Sequence, residues 1–283
     1  MIKFIKKSLV LYILFCFLSL SLTFLLFFEW DMTIGGHSYH FHPIQITNPI
    51  LKILVPAIFV IICVIVSTLG AALIANKSYE KIISKLNQQC DPYDYLQHHL
   101  PLMKKASKPH PADLLIQTNS AVGYHAAGDD ASAIQIGERL CSLPVQASAY
   151  SIAAMIHLNL CSSYYMLGDI PAMVRHMNAA TDYLHTCNPD QNYLLAFARL
   201  ADTECLLNIA NGNYSAAQLY LHNRLKADQL PYQLVISHHY LAEIYEKTNR
   251  PDLAREHLQY VAQYGNRLAI AEQARQKLAQ EYH

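Results

Sequence analysis

Charged side chains desert two stretches near the N-terminus. Ser8 to Phe28 reads SLVLYILFCFLSLSLTFLLFF, and Ile53 to Ala75 reads ILVPAIFVIICVIVSTLGAALIA. A bilayer core about 30 Å thick takes about 20 helical residues, so each run is long enough to cross it. From residue 76 onward the pattern changes. Apolar positions recur at helical spacing, strand-like alternation is absent and glycine is scarce, which predicts an all-helical domain. The expected fold class is therefore all-α, with two N-terminal transmembrane helices followed by a domain of helical hairpins.

The first run exceeds the apolar core of a signal peptide, usually about 7 to 15 residues, and no A-x-A cleavage site follows it. Glu29-Trp30 reads as an interfacial end, with the indole at headgroup level. Lys3, Lys6 and Lys7 precede the first run, and Lys77, Lys81 and Lys85 follow the second. The segment between them carries Glu29 and Asp31 against Lys52. Lysine bias places both termini in the cytoplasm of a multi-pass plasma-membrane protein. The expected order is an N-terminus and first span over 1–28, an external loop over 29–52, a second span over 53–75, a juxtamembrane helical linker over 76–111 and the helical domain over 112–283. In the linker, CDPYDYL at Cys90 starts a helix with Asp91 as N-cap and Pro92 at the first helical position. KASKPHP, residues 105–111, is a break before the helical domain.

Four stretches of that domain align. GYHAAGDDASAIQIGERL begins at Gly123, SYYMLGDIPAMVRHMNAA at Ser163, LNIANGNYSAAQLYLHNR at Leu207 and IYEKTNRPDLAREHLQYV at Ile244. Each has a helical segment, a turn residue in the same place (Gly128, Gly168, Gly212, Asn249) and then an amphipathic helix. Glycine and asparagine tolerate the left-handed conformation that ends a helix. Pro171 and Pro251 fall in the first turn of the next helix, where a missing N–H costs nothing. Asp129, Asp169 and Asp252 suit the positive end of that helix. A single hairpin cannot bury its apolar face, so stacked neighbours must supply the core.

These residues resemble the tetratricopeptide (TPR) family, whose helix-turn-helix unit is about 34 residues long. The fourth stretch matches best, through Leu241, Ala242, Tyr245, Asn249, Ala254, Leu258 and Val261. The second supplies Leu160, Tyr164, Gly168, Met177 and Ala180. The first keeps Tyr124, Gly128, Ala133 and Leu140; the third keeps Cys205, Gly212, Ala217 and Leu221 but has Asn208 in place of tyrosine. The turns are 40, 44 and 37 residues apart, longer than the family period. CDP followed by Tyr-Leu also resembles a junction in bacterial membrane proteins with such repeats. The resemblance implies a curved solenoid, capped by the polar helix from Asn266, with a concave groove lined by the first helix of each pair. It places Thr118, Val122 and His125, then Leu158, Ser162 and Tyr165, then Arg199, Asp202 and Ile209, and finally His239, Glu243 and Glu246 in that groove. The lysine and asparagine clamp of the peptide-binding subset is missing. Glu243 and Glu246 suggest a basic or helical segment at the C-terminal end.

The chain has 21 Lys plus Arg and 21 Asp plus Glu. Removing Lys3, Lys6, Lys7, Lys52, Glu29 and Asp31 leaves 17 against 19 from residue 76, without the basic footprint of a nucleic-acid binder. Seven cysteines without C-x-x-C spacing suggest neither a disulfide framework nor a zinc ribbon. P-loop, dinucleotide-binding, hydrolase and zincin motifs are absent. GGHSYHFHP in the external loop gives His40 and His42 one strand face and His37 the other, short of a closed metal site. The alternative for that loop is a hairpin turning at Gly35-Gly36, with the histidines solvated. Adjacent pairs His98-His99 and His238-His239 point about 100° apart on a helix and do not chelate together. The expectation is a non-enzymatic scaffold, without cofactor or metal, that recruits a protein partner at the lipid bilayer. The alternatives are a sensor with the histidine loop as its input, or a subunit of a membrane enzyme or transporter. Spans without carboxylate, histidine or arginine speak against intramembrane chemistry.

Overall fold

A computed structural model describes residues 2–27, 30–34, 37–41, 44, 48–102, 111–189, 191–227 and 229–280. Glu29, the Gly35-Gly36 pair, His42 and the break before Pro111 lie outside them. Among the described residues the chain forms twelve α-helices and one two-stranded hairpin, so the all-α expectation holds. It divides into two compact units, Met1–Lys81 and Ile82–His283.

The first unit holds α1 (Ile2–Phe27), strands β1 (Trp30–Ile34) and β2 (His37–Phe41), and most of α2 (Pro49–Asn87). The strands pair antiparallel with Ile34 opposite His37. Helix α2 is a single 39-residue helix that continues through the expected span boundary at residue 75 and carries Pro56 inside. It is the one described helix long and apolar enough to cross a membrane; in α1 the apolar stretch Ile13–Thr23 is shorter. Ile53, Val66 and Leu73 of α2 are exposed. Hydroxyls in these apolar helices bond their own backbone. Thr23 donates to the Ser19 carbonyl and Ser67 to that of Cys63, both at 2.7 Å, so neither needs water.

The second unit is built of helix pairs. After α3 (Pro92–His99) come α4 (Pro111–Ala126) with α5 (Asp130–Cys141), α6 (Tyr150–Met166) with α7 (Ile170–Thr186), α8 (Gln191–Ala210) with α9 (Tyr214–Leu225) and α10 (Pro231–Lys247) with α11 (Pro251–Tyr264); α12 (Ala269–Gln280) ends the array. Asp91 caps α3 as expected, accepting from the backbone N–H groups of Tyr93 and Asp94. The four turn residues share one conformation: Gly128, Gly168, Gly212 and Asn249 have φ of 83°, 75°, 77° and 56°. They also share two hydrogen bonds. In the second pair Gly168 N–H reaches the Tyr165 carbonyl and Asp169 N–H reaches that of Tyr164; the other three turns repeat both bonds. This double bond to the last turn is the Schellman closure, and it needs a left-handed residue. Asp129 and Asp169 then cap α5 and α7, each accepting at 3.0 Å.

Helix α6 lies deepest, with ten residues buried. Ala133, Ala217 and Ala254 are buried, and the absence of a longer side chain brings each second helix close to its neighbours. Gly137 serves the same end in α5, because a Cβ there would meet Leu160 of α6 at 2.5 Å. The array also meets its own beginning. Arg267 N–H donates to the Cys90 carbonyl at 3.3 Å, and Asn266 Nδ2 to that of Gln89 at 2.7 Å. The Arg267 guanidinium pairs with Asp91 at 3.3 Å and lies 4.6 Å over the Tyr93 ring. A Cβ on Gly128 would stand 2.8 Å from Ala269 of α12. The final helix therefore docks on the first hairpin as well as on α11, where an open stack with a simple end-cap was expected.

Candidate binding site

Helices α4, α6, α8 and α10 turn toward one cavity of about 900 Å³, open solvent at its mouth included. Its wall is mostly aliphatic and small, and its polar groups include Thr118, His125, Ser162, Arg199 and Asp202. Six of the twelve expected groove residues, these five and Val122, thus share one space, whereas Leu158 and Ile209 are buried in the core. His239, Glu243 and Glu246 line a separate pocket with Gln273 and Lys277. Tyr165 lines neither. Its hydroxyl donates to Glu243 at 2.7 Å and its ring packs on the edge of Tyr240, 5.9 Å between centroids. Burial, then the Glu243 charge, hold the Tyr165 hydroxyl far above the usual phenol range. This bond joins α6 to α10 and divides the expected continuous groove.

The two carboxylates expected to face a partner are already engaged. Glu243 pairs with Lys247 at 2.8 Å, and Glu246 with Lys277 of α12 at 2.8 Å. Inside the first cavity Asp202 accepts from the Tyr220 hydroxyl at 2.7 Å and forms an ion pair with Arg224. Burial, with the neighbouring Arg199 charge, brings the Arg224 guanidinium down to about 10. Arg199 itself, half-buried, makes no ion pair or side-chain hydrogen bond among the described residues. The cavity therefore holds one arginine neutralised by a carboxylate and one, half-exposed, that no carboxylate neutralises among the described residues. His125 faces Asp130 at 2.6 Å and the Ser163 hydroxyl at 3.3 Å, which anchors it to the wall.

Arg224, Tyr220, Tyr232 and Tyr240 were missed as wall residues. Arg224 and Tyr220 belong to a second helix, which an open solenoid would turn away from its groove. Tyr232 and Tyr240 come from α10. A further constellation, Cys141, His157 and His176, was also missed. Its members lie on three successive helices without a motif's spacing. Cys161 and Cys205 are buried, and burial pushes both thiols up to about 12. All seven cysteines are free thiols. Of the adjacent histidine pairs, His98 is exposed and His99 buried, whereas His238 and His239 are both half-buried. No family model, curated protein or solved structure significantly matches this chain.

Proposed function

We propose that the chain is a membrane-anchored, non-catalytic adaptor: two apolar N-terminal helices hold a cytoplasmic, TPR-like helical domain at the plasma membrane, where it recruits a protein partner. The observation that carries the binding role is Arg199, a half-buried cation without an ion-pair partner among the described residues, in the wall of a cavity that all four first helices line. A guanidinium in such a place favours a carboxylate, which it can hold through two parallel hydrogen bonds. The segment received is accordingly an acidic side chain or chain end on an extended peptide. A helix laid along an open groove does not suit a space that Tyr165 and Glu243 divide. Support for the anchor is the 39-residue α2 with its exposed isoleucine, leucine and valine side chains. Support for the solenoid is the fourfold Schellman turn at the positions the TPR resemblance marks.

The test places a photo-crosslinking amino acid at Ile236, in the cavity wall, in the full chain within native membranes. Arg199→Gln in the same background removes the charge and keeps most of the volume. A protein should crosslink to the first, and its yield should fall about tenfold in the second, as expected for a charge-assisted hydrogen bond of about 1.5–3 kcal/mol. Equal yields, or none, would remove the cavity from the binding reading.

A further inference from the structure

The last residue of α5, Cys141, faces His157 of α6, with its sulfur 3.7 Å from Nδ1. His157 Nδ1 in turn lies 2.8 Å from Nδ1 of His176 on α7. A single choice of one ligand atom per residue brings all three within 4.8 Å of one another. A tetrahedral zinc ion with Zn–N near 2.0 Å and Zn–S near 2.3 Å needs N···N and N···S separations of about 3.3 and 3.5 Å. The two contacts lie on either side of those values, and the third side, Cys141 to His176, is no longer than 4.8 Å.

The back of the site is built as well. His176 Nε2 donates to Glu138 Oε1 at 3.0 Å, and the same oxygen accepts from the Tyr164 hydroxyl at 2.6 Å. A proton on Nε2 leaves the Nδ1 lone pair of His176 aimed at the other two ligands. A histidine whose far nitrogen donates to a carboxylate is the usual orientation device of a metal ligand. Tyr183 stacks on His157 and Tyr164 on His176, with centroids 5.7 and 5.3 Å apart, which fixes both rings. His176 is 9% exposed on its side chain, whereas Glu138 is 44% exposed, so the constellation lies at the edge of the core rather than sealed within it.

The chain supplies its own contrast. At one constant offset along the sequence, His238, His257 and Tyr245 take the places of His157, His176 and Tyr164. Their Nδ1 atoms also meet, at 2.7 Å. Where Cys141 stands, however, this copy has His222, whose Nε2 turns to the Tyr245 hydroxyl at 3.2 Å. Where Glu138 stands it has Leu219, which is exposed. The histidine pair alone is thus a packing device shared by both copies; only the first adds a thiol and an orienting carboxylate.

We propose that Cys141, His157 and His176 bind a borderline-soft divalent ion of the zinc class, with Glu138 as positioning residue and a fourth coordination place left for water or an exogenous ligand. Two imidazoles and one thiolate match that class, whereas hard ions such as magnesium and calcium prefer oxygen. On binding, the thiol releases its proton to solvent and the sulfur electron pair goes to the metal. The site ties α5, α6 and α7 together and adds a ligand-dependent stability to the middle of the array.

The test uses the full chain in detergent, reduced, stripped with a chelator and titrated with Co²⁺ and then Zn²⁺. One equivalent of cobalt should give a thiolate-to-cobalt charge-transfer band that zinc abolishes, a result that needs no variant. Cys141→Ser should remove the band with helicity unchanged, and Glu138→Gln should keep it while lowering affinity about 10–100-fold. His238→Asn and the loop variant His37→Asn with His40→Asn should leave it intact. Absence of the band in the native chain, or its persistence in Cys141→Ser, would overturn the proposal.

Discussion

At the scale of single residues, burial decides what a side chain can still do. His99 is fully buried, its Nδ1 3.0 Å from the Ser120 hydroxyl and its ring 4.8 Å from that of Tyr95. Burial disfavours the charged imidazolium and brings its pKa down to about 4 from the ordinary 6.5. The sign follows directly. Between pH 6.5 and 4 the unfolded chain takes up a proton there that the folded one refuses, so stability falls as pH drops through that window and levels off below it. The loss reaches about 3 kcal/mol at most by linkage. Thermal melts of the full chain across this range should show the decline, and His99→Phe should lessen it, the remainder coming from histidines such as His238 and His239 that burial depresses in the same way; an equal slope in the variant would move the effect elsewhere. Arg199 and the Cys141 cluster belong to the same scale. Their meaning lies in what surrounds them: the repeat register placed Arg199 in the groove, whereas the Cys141 cluster stands in no motif that spacing could reveal.

At the scale of elements, the turn is the unit that repeats. Gly168 has φ of 75° and nothing within 4 Å of where its Cβ would be, so substitution there tests backbone conformation alone. Gly168→Ala should destabilise by roughly 1–2 kcal/mol, the cost of the left-handed region for an L-residue. Gly168→Asn should cost less, since Asn249 already adopts the same conformation at φ 56°. Chemical denaturation of the three proteins measures the difference; equal midpoints would show that the Schellman closure contributes nothing here. These turns were legible because glycine, asparagine and the aspartates beside them are local requirements of a helix end. The helix expected beyond residue 76 is the continuation of α2. Its apolar run stops at Ala75, but Lys77 to Asn87 keep good helix formers, so composition changes while the backbone does not.

At the scale of the molecule, two compact units meet within α2, and the second has its own closed core. It joins residues 89–91 to 266–267 through hydrogen bonds and an ion pair, which ties its beginning to its end. The segment 82–283 should therefore fold by itself as a helical monomer that unfolds in one cooperative transition, by calorimetry and by far-ultraviolet dichroism alike. Cutting the chain after Tyr264 should abolish that cooperativity, because it removes buried Leu268, Ala271 and Ala274 along with the closure. Cooperative unfolding of the truncated segment would mean that the hairpins are stable without it.

Periodicity, turn residues and charge along the chain were enough to determine an all-helical protein with an apolar N-terminal region and four hairpins at marked positions. Those features act over a few residues, through helix propensity, capping and the length an apolar stretch must have. Only the tertiary structure decided that α12 returns to the first hairpin, that Tyr165 bonds Glu243 across the expected groove, and that Asp202 is taken by Arg224 while Arg199 is left over. It alone brought Cys141, His157 and His176 within reach of one ion. Each of these depends on the curvature summed over successive helix pairs, and no local window of sequence contains that sum.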